Sequence, residues 1–200
     1  MEIRAKIVAG VTELFLDQGI KSVTMDEVAQ NLGISKRTIY EHFENKVALI
    51  QACTDALYQR NLDFESTIIS TSDNIIQELF KLVEIPKFIR SRERRFAMEL
   101  KKFYPEIFDQ QYVTRYKDAT KQLSGRLRRG IEQGIILPDT NIDVAVYVIF
   151  ESVHNLMSNS NRILSTNINV ELAFEYIFVC FFRGIATAKG IALIDQMNKK

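Results

Sequence analysis

The chain has 200 residues, carries a formal net charge of +1 at pH 7, and is 46% hydrophobic, which is enough apolar surface for a real core. Three prolines, eight glycines and few alternating apolar patterns disfavour a sheet protein, whereas apolar residues often recur at spacings of three and four. We therefore expect a globular all-α chain without strands. The small net charge excludes bulk electrostatics as an argument for nucleic-acid binding.

The sequence also bears on location. The most apolar run, residues 176–182, is bounded by Glu175 and Arg183 and is far shorter than the roughly 20 residues that a membrane span needs. No apolar signal segment stands near the N-terminus, and Cys53 and Cys180 have no close partner in sequence. These features predict a cytoplasmic protein with two buried, free thiols.

The first predicted helix begins at Ile3, carries an apolar stripe and ends at Gly19. The second, residues 25–32, follows Thr24, which we expect to be its N-cap. Asp26 and Glu27 stand in its first turn, where carboxylates favour the positive end of the helix dipole. Adjacent carboxylates can also serve as acid and base in catalysis, but capping is the preferred interpretation.

A turn and a short exposed helix come next. Gly33 stands where the second helix must stop, because glycine adopts the left-handed conformation easily. Ser35 is the expected N-cap of a third helix, on which only Ile39 and Phe43 are apolar and mark the packed face. The outward positions offer groups that bind phosphates and base edges: Lys36, Arg37, Thr38, Tyr40 and His42. This is a helix-turn-helix pattern, whose second helix enters the major groove.

The stretch Ile-Ser-Lys-Arg-Thr-Ile-Tyr-Glu-His-Phe-Glu-Asn-Lys-Val-Ala-Leu, residues 34–49, resembles the signature of TetR-type (TetR/AcrR) bacterial transcriptional regulators. Residues 3–20 and 23–29 stand at the family's spacing, so the resemblance covers about the first quarter of the chain. It implies an N-terminal three-helix DNA-binding domain, residues 1–46. A larger helical-bundle domain for ligand binding and dimerisation, residues 47–200, is implied to follow, with about nine helices in all.

The resemblance also implies roles in DNA binding. Lys36 and Arg37 match positions that touch bases, and each could hydrogen-bond guanine. Most of the others match phosphate-contact positions, so that the predicted DNA-binding residues are Thr24, Ser35, Lys36, Arg37, Thr38, Tyr40, His42 and Lys46. Met25 and Asp26 depart from the small or basic residues of some relatives, and Asp26 would repel phosphate. Met25 and Asp26 are therefore not among the predicted DNA-binding residues. Packing beneath the third helix is the alternative role for Tyr40.

Asn45 is expected to cap a fourth helix, with Lys46 and the free backbone N–H groups forming a phosphate seat. The polar residues 70–74 end that helix and cap the next, which runs from Ile75 to about Arg90 with Pro86 bending or ending it. Residues 103–106 interrupt the helical pattern. A long helix, residues 110–133, is expected to follow and to end at Gly134.

The stretch from Arg90 to Lys102 holds six basic residues against Glu93 and Glu99. A solvated helix face is the preferred interpretation, and a second nucleic-acid or anionic-ligand site is the alternative.

The last predicted helices, residues 144–157 and 172–182, are apolar nearly all the way round. Each therefore needs two dry neighbours, one of which is most simply a second copy of the chain. The sequence thus predicts a homodimer, with two central helices of a monomer as the alternative. The expected interface residues are Val153, Met157, Phe174, Phe178 and Phe181.

The resemblance implies a pocket for a small apolar or amphipathic effector whose binding changes the separation of two reading heads on a palindromic operator. Aromatic residues with orienting phenols suit such a pocket. The predicted lining residues are Phe103, Tyr112, Tyr116, Tyr147, Phe150 and His154.

Glu151 and His154 have the Glu-x-x-His spacing of di-iron bundles, but the second pair that such sites need is absent. No catalytic triad, phosphate loop or zinc spacing occurs, so we expect no enzyme, metal or cofactor. The preferred function is a ligand-responsive repressor that binds double-stranded DNA. One alternative is a DNA-binding protein of the same fold without an effector, in an architectural or protein-partner role; a helical enzyme would need catalytic residues that the sequence lacks.

Overall fold

The computed structural model describes residues 2–83, 87–158 and 169–197. In these ranges it contains ten α-helices: α1 (Ile3–Gln18), α2 (Met25–Leu32), α3 (Lys36–His42), α4 (Lys46–Ser70), α5 (Ile75–Val83), α6 (Lys87–Phe103), α7 (Pro105–Glu132), α8 (Ile142–Ser158), α9 (Val170–Ile185) and α10 (Ala188–Met197). The same ranges contain no strand, so the all-α prediction is confirmed. The helix that the sequence did not predict is α10. None of the described helices has the length and hydropathy of a membrane span.

Two compact units make up the described chain. The first comprises residues 2–67 and 87–112, and the second comprises 68–83, 113–158 and 169–197. The functional division predicted between residues 46 and 47 stays a prediction. At that point the backbone enters α4, a single helix of 25 residues.

The first unit is built around the apolar stripe of α1. Val11 and Phe15 are fully buried against side chains from the following helices, including Ile39 on α3 and Leu49 and Ile50 on α4. Helix α6 packs against α1 in the same unit. The short helices α2 and α3 are thus fixed by a core that extends well beyond residue 46.

The middle helices differ in their limits from the predicted ones. The sequence predicts a helix from Ile75 to about Arg90 that Pro86 bends or ends; in the described residues α5 ends at Val83 and α6 begins at Lys87. Helix α7 begins at Pro105 and not at Gln110. Proline suits the first helical position because its φ angle is already helical and its missing N–H would have no partner there.

The second unit has its own core, which includes Ile75, Leu127 and Ile135. Backbone hydrogen bonds tie the loop after α7 to the end of α9: Leu137 N donates to Ile185 O at 2.8 Å, and Thr187 N donates to Ile135 O at 2.9 Å. These bonds form an isolated antiparallel bridge in an otherwise helical unit.

Both cysteines are free, but only Cys53 is buried. Cys180 is exposed on α9, so the expectation of two buried thiols is wrong for Cys180. An all-round apolar helix pattern does not reveal which of its positions the subunit covers.

Candidate DNA-binding surface

The start of α2 is held by a capping box. Thr24 Oγ1 accepts a hydrogen bond from Glu27 N at 3.2 Å, and Glu27 Oε2 accepts one from Thr24 N at 2.6 Å. The backbone N–H of Thr24 is the main cause of a lowered pKa of the Glu27 carboxyl. These reciprocal bonds confirm that Thr24 is the N-cap and give Glu27 a structural role in place of an acid–base one.

The turn between α2 and α3 has the predicted form. Gly33 adopts a left-handed conformation with φ of +64°, and Ile34 N donates to Ala29 O at 3.1 Å, which closes the end of α2. Ser35 Oγ then accepts a hydrogen bond from Thr38 N at 3.0 Å. Ser35 is therefore the N-cap of α3, and the turn places α3 in a defined direction.

Helix α3 presents one apolar face to the core and its polar groups to solvent. Ile39 and Phe43 are 0% and 3% exposed, as their spacing predicts. The side chain of Arg37 is 89% exposed, and Tyr40 is 46% exposed and does not lie beneath the helix. The outward groups are thus available to a molecule that docks on α3.

Both predicted base-reading cations are engaged by carboxylates in the free chain. Lys36 Nζ lies 3.0 Å from Asp26 Oδ1, and the pKa of Lys36 is raised chiefly by its hydrogen bond to Asp26. Arg37 Nε lies 3.1 Å from Glu41 Oε1, one helical turn further along α3. All four side chains are exposed, so these pairs contribute little to stability and can exchange for DNA contacts.

Lys46 has a structural role that the sequence analysis missed. Its ammonium donates to the carbonyl oxygen of Ile20 at 2.7 Å and also to that of Val23. Partial burial lowers the pKa of Lys46. The side chain therefore holds the loop between α1 and α2 at the start of α4. Asn45 caps α4 as predicted, since its Oδ1 accepts from Ala48 N at 2.9 Å.

Helix α6 contacts the same loop through Glu99 and the adjoining helix α1 through Arg92 and Arg95, three residues that share one face of α6. Glu99 Oε2 accepts from Ile20 N at 2.7 Å, while Arg95 donates to the carbonyl oxygens of Asp17, at 2.8 Å, and Leu16. Arg92 forms ion pairs with α1 residues, including one of 3.0 Å to Glu13. Arg92 and Arg95 thus also contact α1, which the interpretation of this stretch as a solvated face does not include, although the side chain of Arg95 remains exposed. The three- and four-residue spacing of these residues to Glu99 was the available signal.

The predicted effector residues are not gathered at one place. In the second unit the rings of Tyr116 and Phe150 make an edge-on contact at 5.6 Å between centroids, whereas Tyr147 is 60% exposed. Phe103 belongs to the first unit. The side chains of Tyr112 and His154 lie outside the described residues, so the pocket predicted from these six residues stays a prediction.

A small apolar cavity lies in the second unit between α5, α9 and α10. It has a volume of about 20 Å³ and is lined by Ile76, Leu79, Phe80, Phe178, Val179, Phe182 and Ile194. This volume is enough for about one water molecule and is too small for an organic effector.

The predicted dimer residues mostly contact the core of their own subunit. Val153, Phe178 and Phe181 are half-buried against the second unit's core, and the ring of Phe178 stacks on that of Phe182 at 5.9 Å. The ring centroids of Phe174 and Phe178 are 4.8 Å apart. The side chain of Met157 lies outside the described residues. Among the described side chains, the large exposed apolar residues of α8 and α9 are Val144, Tyr147, Val148, Leu172 and Tyr176. The interface predicted from the other five residues stays a prediction.

In the described part of the chain, no group of three or more histidine, cysteine or carboxylate side chains has a metal-binding arrangement. Glu151 is half-buried on α8.

Comparison with known proteins relates this geometry to a family. Residues 7–53, which include most of α1, all of α2 and α3 and the start of α4, match the bacterial regulatory proteins of the tetR family. The uncharacterised HTH-type transcriptional regulator YdeS of Bacillus subtilis is 27% identical over 147 residues, which cover 72% of each chain. The HTH-type transcriptional activator FasR of Mycolicibacterium smegmatis is 32% identical over 119 residues, covering 56% of this chain and 48% of that protein.

The fold as a whole is also similar to solved structures. A transcriptional regulator of the TetR family from Cytophaga hutchinsonii superimposes with a TM-score of 0.72 at 16% identity, over 94% of this chain and 96% of that one. At this identity the similarity establishes the fold, which extends over both compact units.

Proposed function

Because this chain belongs to the TetR family of DNA-binding transcriptional regulators and is not an enzyme, we propose that it is a repressor that binds operator DNA as a homodimer. The observation that carries the proposal is the outward face of α3. On that face Lys36, Arg37 and Tyr40 project from a helix whose other side is anchored by the buried Ile39 and Phe43. Such a regulator would act in the cytoplasm, where the chromosome lies.

On DNA, Lys36 and Arg37 would exchange their carboxylate partners for base edges in the major groove. Thr38, Tyr40 and His42 would contact phosphates beside the groove. Thr24 would contribute through the exposed start of α2, while Ser35 would act by fixing the direction of α3. Lys46 donates to two carbonyl oxygens and so retains one proton of its ammonium for a phosphate.

We prefer repression to activation because repression requires only that the protein occupies its operator. A dimer bound over a promoter excludes polymerase by its bulk, whereas activation needs a further surface that recruits polymerase. In vitro transcription from a promoter that contains the bound site distinguishes the two. A rise in transcript on adding the protein would overturn the repressor assignment.

The homodimer would form through the exposed apolar side chains of α8 and α9. Val144, Tyr147 and Val148 follow the three- and four-residue spacing of one helix face on α8, and Leu172 and Tyr176 do so on α9. A contiguous exposed apolar surface of this kind favours association. Two copies would place two reading helices about 34 Å apart, one turn of DNA.

The dimer test uses a charge at Tyr176, which is 70% exposed. Tyr176→Glu should give monomers in analytical ultracentrifugation without loss of helicity. The control is Lys117→Glu, a substitution at an exposed position on α7. A sedimentation coefficient that does not change in Tyr176→Glu would contradict this interface.

A small apolar or amphipathic effector would release the protein from DNA. The edge-on pair of Tyr116 and Phe150 is the part of the predicted pocket that the second unit brings together. The second candidate, a DNA-binding protein without an effector, is favoured by the small volume of the apolar cavity beside Phe178. Screening apolar compounds for release of bound DNA separates them, because only the first candidate responds.

The central experiment is fluorescence anisotropy with DNA from upstream of the protein's own gene, in a salt series and with a scrambled duplex as competitor. We expect specific binding, and Arg37→Ala should reduce discrimination at one base position by about 1–3 kcal/mol. Arg128→Ala, an exposed arginine in the second unit, is the matched control. Equal affinity for the upstream and scrambled duplexes would count against autoregulation and favour the architectural role.

A further inference from the structure

The first unit contains an open groove of about 860 Å³ between α6 and the loop that joins α1 to α2. Four cationic side chains line the groove, Lys21, Arg94, Arg95 and Lys102, but only one carboxylate, that of Glu99. Nothing in the proposed DNA contacts uses these cations. The groove therefore calls for a separate explanation.

The single carboxylate in the groove is already engaged. Glu99 Oε2 accepts hydrogen bonds from the backbone N–H groups of Ile20, at 2.7 Å, and Lys21, at 3.4 Å. Lys21, Arg94 and Lys102 form no ion pair with a described carboxylate. The groove thus has a surplus of uncompensated positive charge, which favours an anion.

The groove also has an apolar surface. Met98 is 48% exposed, and the Phe103 ring lies between two ammonium groups, with Lys21 Nζ at 4.9 Å and Lys102 Nζ at 5.2 Å from its centroid. A thioether and an aromatic face provide contact area for an acyl chain or a ring. A fully hydrated inorganic anion would leave this surface unused.

We propose that this groove binds an amphipathic organic anion, a carboxylate or phosphate monoester carried on an acyl chain or aromatic ring. The anionic group lies among Lys21, Arg94 and Lys102, and the apolar body covers Met98 and Phe103. This site lies within the first unit and is separate from the effector pocket proposed for the second unit.

An anion bound in the groove affects the loop that joins α1 to α2 and leads to Thr24. Glu99 holds the N–H groups of this loop, and Lys46 holds its carbonyl oxygens at Ile20 and Val23. Glu99 is closely seated, because a Cβ added at Gly19 would come within 2.6 Å of its Oε1. An anion beside Lys21 competes with Glu99 for the backbone N–H groups of this loop, and so alters the position of α2.

The test is NMR of the full chain labelled at the methionine methyl groups, without DNA. Octyl phosphate is the probe, and octanol and inorganic phosphate are the controls for its two parts. We expect a saturable shift of the Met98 methyl signal, assigned with Met98→Leu, with octyl phosphate alone. The signal of Met197, which lies on α10 in the second unit, is the internal reference. Equal shifts with octanol or with inorganic phosphate would overturn the amphipathic class.

The variants locate the site. Arg94→Gln combined with Lys102→Gln should weaken octyl phosphate binding at least tenfold. Lys101→Gln should not, because the Lys101 ammonium lies over the Phe108 ring, 5.6 Å from its centroid, outside the groove. Unfolding midpoints of all variants establish that they are folded. Undiminished binding in the double variant would overturn the proposal.

DNA phosphate is the other source of a phosphate group, and a salt series separates the two. If Lys102→Gln lowers the salt slope for a non-specific duplex by about one, the groove contacts DNA and the small-anion proposal fails. An unchanged slope together with lost octyl phosphate binding supports it. Because the NMR titration contains no DNA, its outcome is independent of whether the chain recognises an operator.

Discussion

Lys36 Nζ lies 3.0 Å from a carboxylate oxygen of Asp26, so a residue of α2 holds a side chain of α3 that is predicted to contact bases. The two residues are ten positions apart and both are exposed, with side-chain accessibilities of 46% and 75%. An exposed pair of this kind adds little stability. Its consequence is for DNA binding, because Asp26 both occupies Lys36 and repels phosphate.

Asp26→Asn should therefore strengthen binding to non-specific DNA. The freed Lys36 gains a phosphate contact, so the slope of log K against log salt should become steeper by about one. Fluorescence anisotropy over a salt series measures it. Asp63→Asn removes the same charge about 26 Å along α4 from its start and is the control. An unchanged slope in Asp26→Asn would show that Lys36 gains no phosphate contact when its carboxylate partner is removed, and would contradict this prediction.

Lys46→Ala should destabilise the first unit as well as weaken DNA binding. Its ammonium satisfies two carbonyl oxygens in a partly buried place, and hydrogen bonds to charged groups contribute about 1.5–3 kcal/mol each, so we expect a loss of about 2 kcal/mol or more. Urea unfolding measures this loss, with the exposed Lys6→Ala as control.

At a temperature where Lys46→Ala is folded, its affinity should fall equally for all DNA sequences, and its salt slope should fall by about one. A change in sequence preference with the slope unchanged would contradict the phosphate role of Lys46. An unfolding midpoint equal to that of the native chain would contradict the structural role.

Glu78→Gln should destabilise the second unit by about 3 kcal/mol. Glu78 is 4% exposed on α5, lies 2.8 Å from the guanidinium of Arg129 and faces the buried Arg126 at 3.7 Å. Removing the carboxylate takes one counter-charge away from the buried Arg126 and from Arg129. Thermal or urea unfolding measures the change, and the exposed Glu132→Gln should stay within about 0.5 kcal/mol of the native chain. Similar stability in both variants would contradict this role.

The two thiols should differ strongly in reactivity. Burial raises the pKa of Cys53 to about 12, so at pH 8 it remains a protonated thiol without access to reagent. Cys180 is exposed on α9, four residues after Tyr176. A chromogenic disulfide reagent should label one thiol in folded Tyr176→Glu and two after denaturation. Slower labelling in the native chain is expected if the dimer covers Cys180, and labelling of Cys53 in the folded chain would contradict its burial.

The DNA-binding motif was predictable because its determinants are local. Gly33 ends α2 and Ser35 caps α3 through contacts within a few residues, and Ile39 and Phe43 mark the packed face by their spacing. Capping and helical periodicity depend on neighbours along the chain, which the sequence displays directly. The all-α class follows from the same periodicity.

Only the tertiary structure decided which distant residues meet. Glu99 and Ile20 are 79 positions apart, and their hydrogen bond exists because α6 packs on α1. On α9, the sequence shows an apolar helix, but the packing against α8 decides that Phe178 contacts the core while Tyr176 remains exposed. Helix periodicity determines which residues share a face, whereas the partner of that face depends on how the other helices fill the surrounding volume.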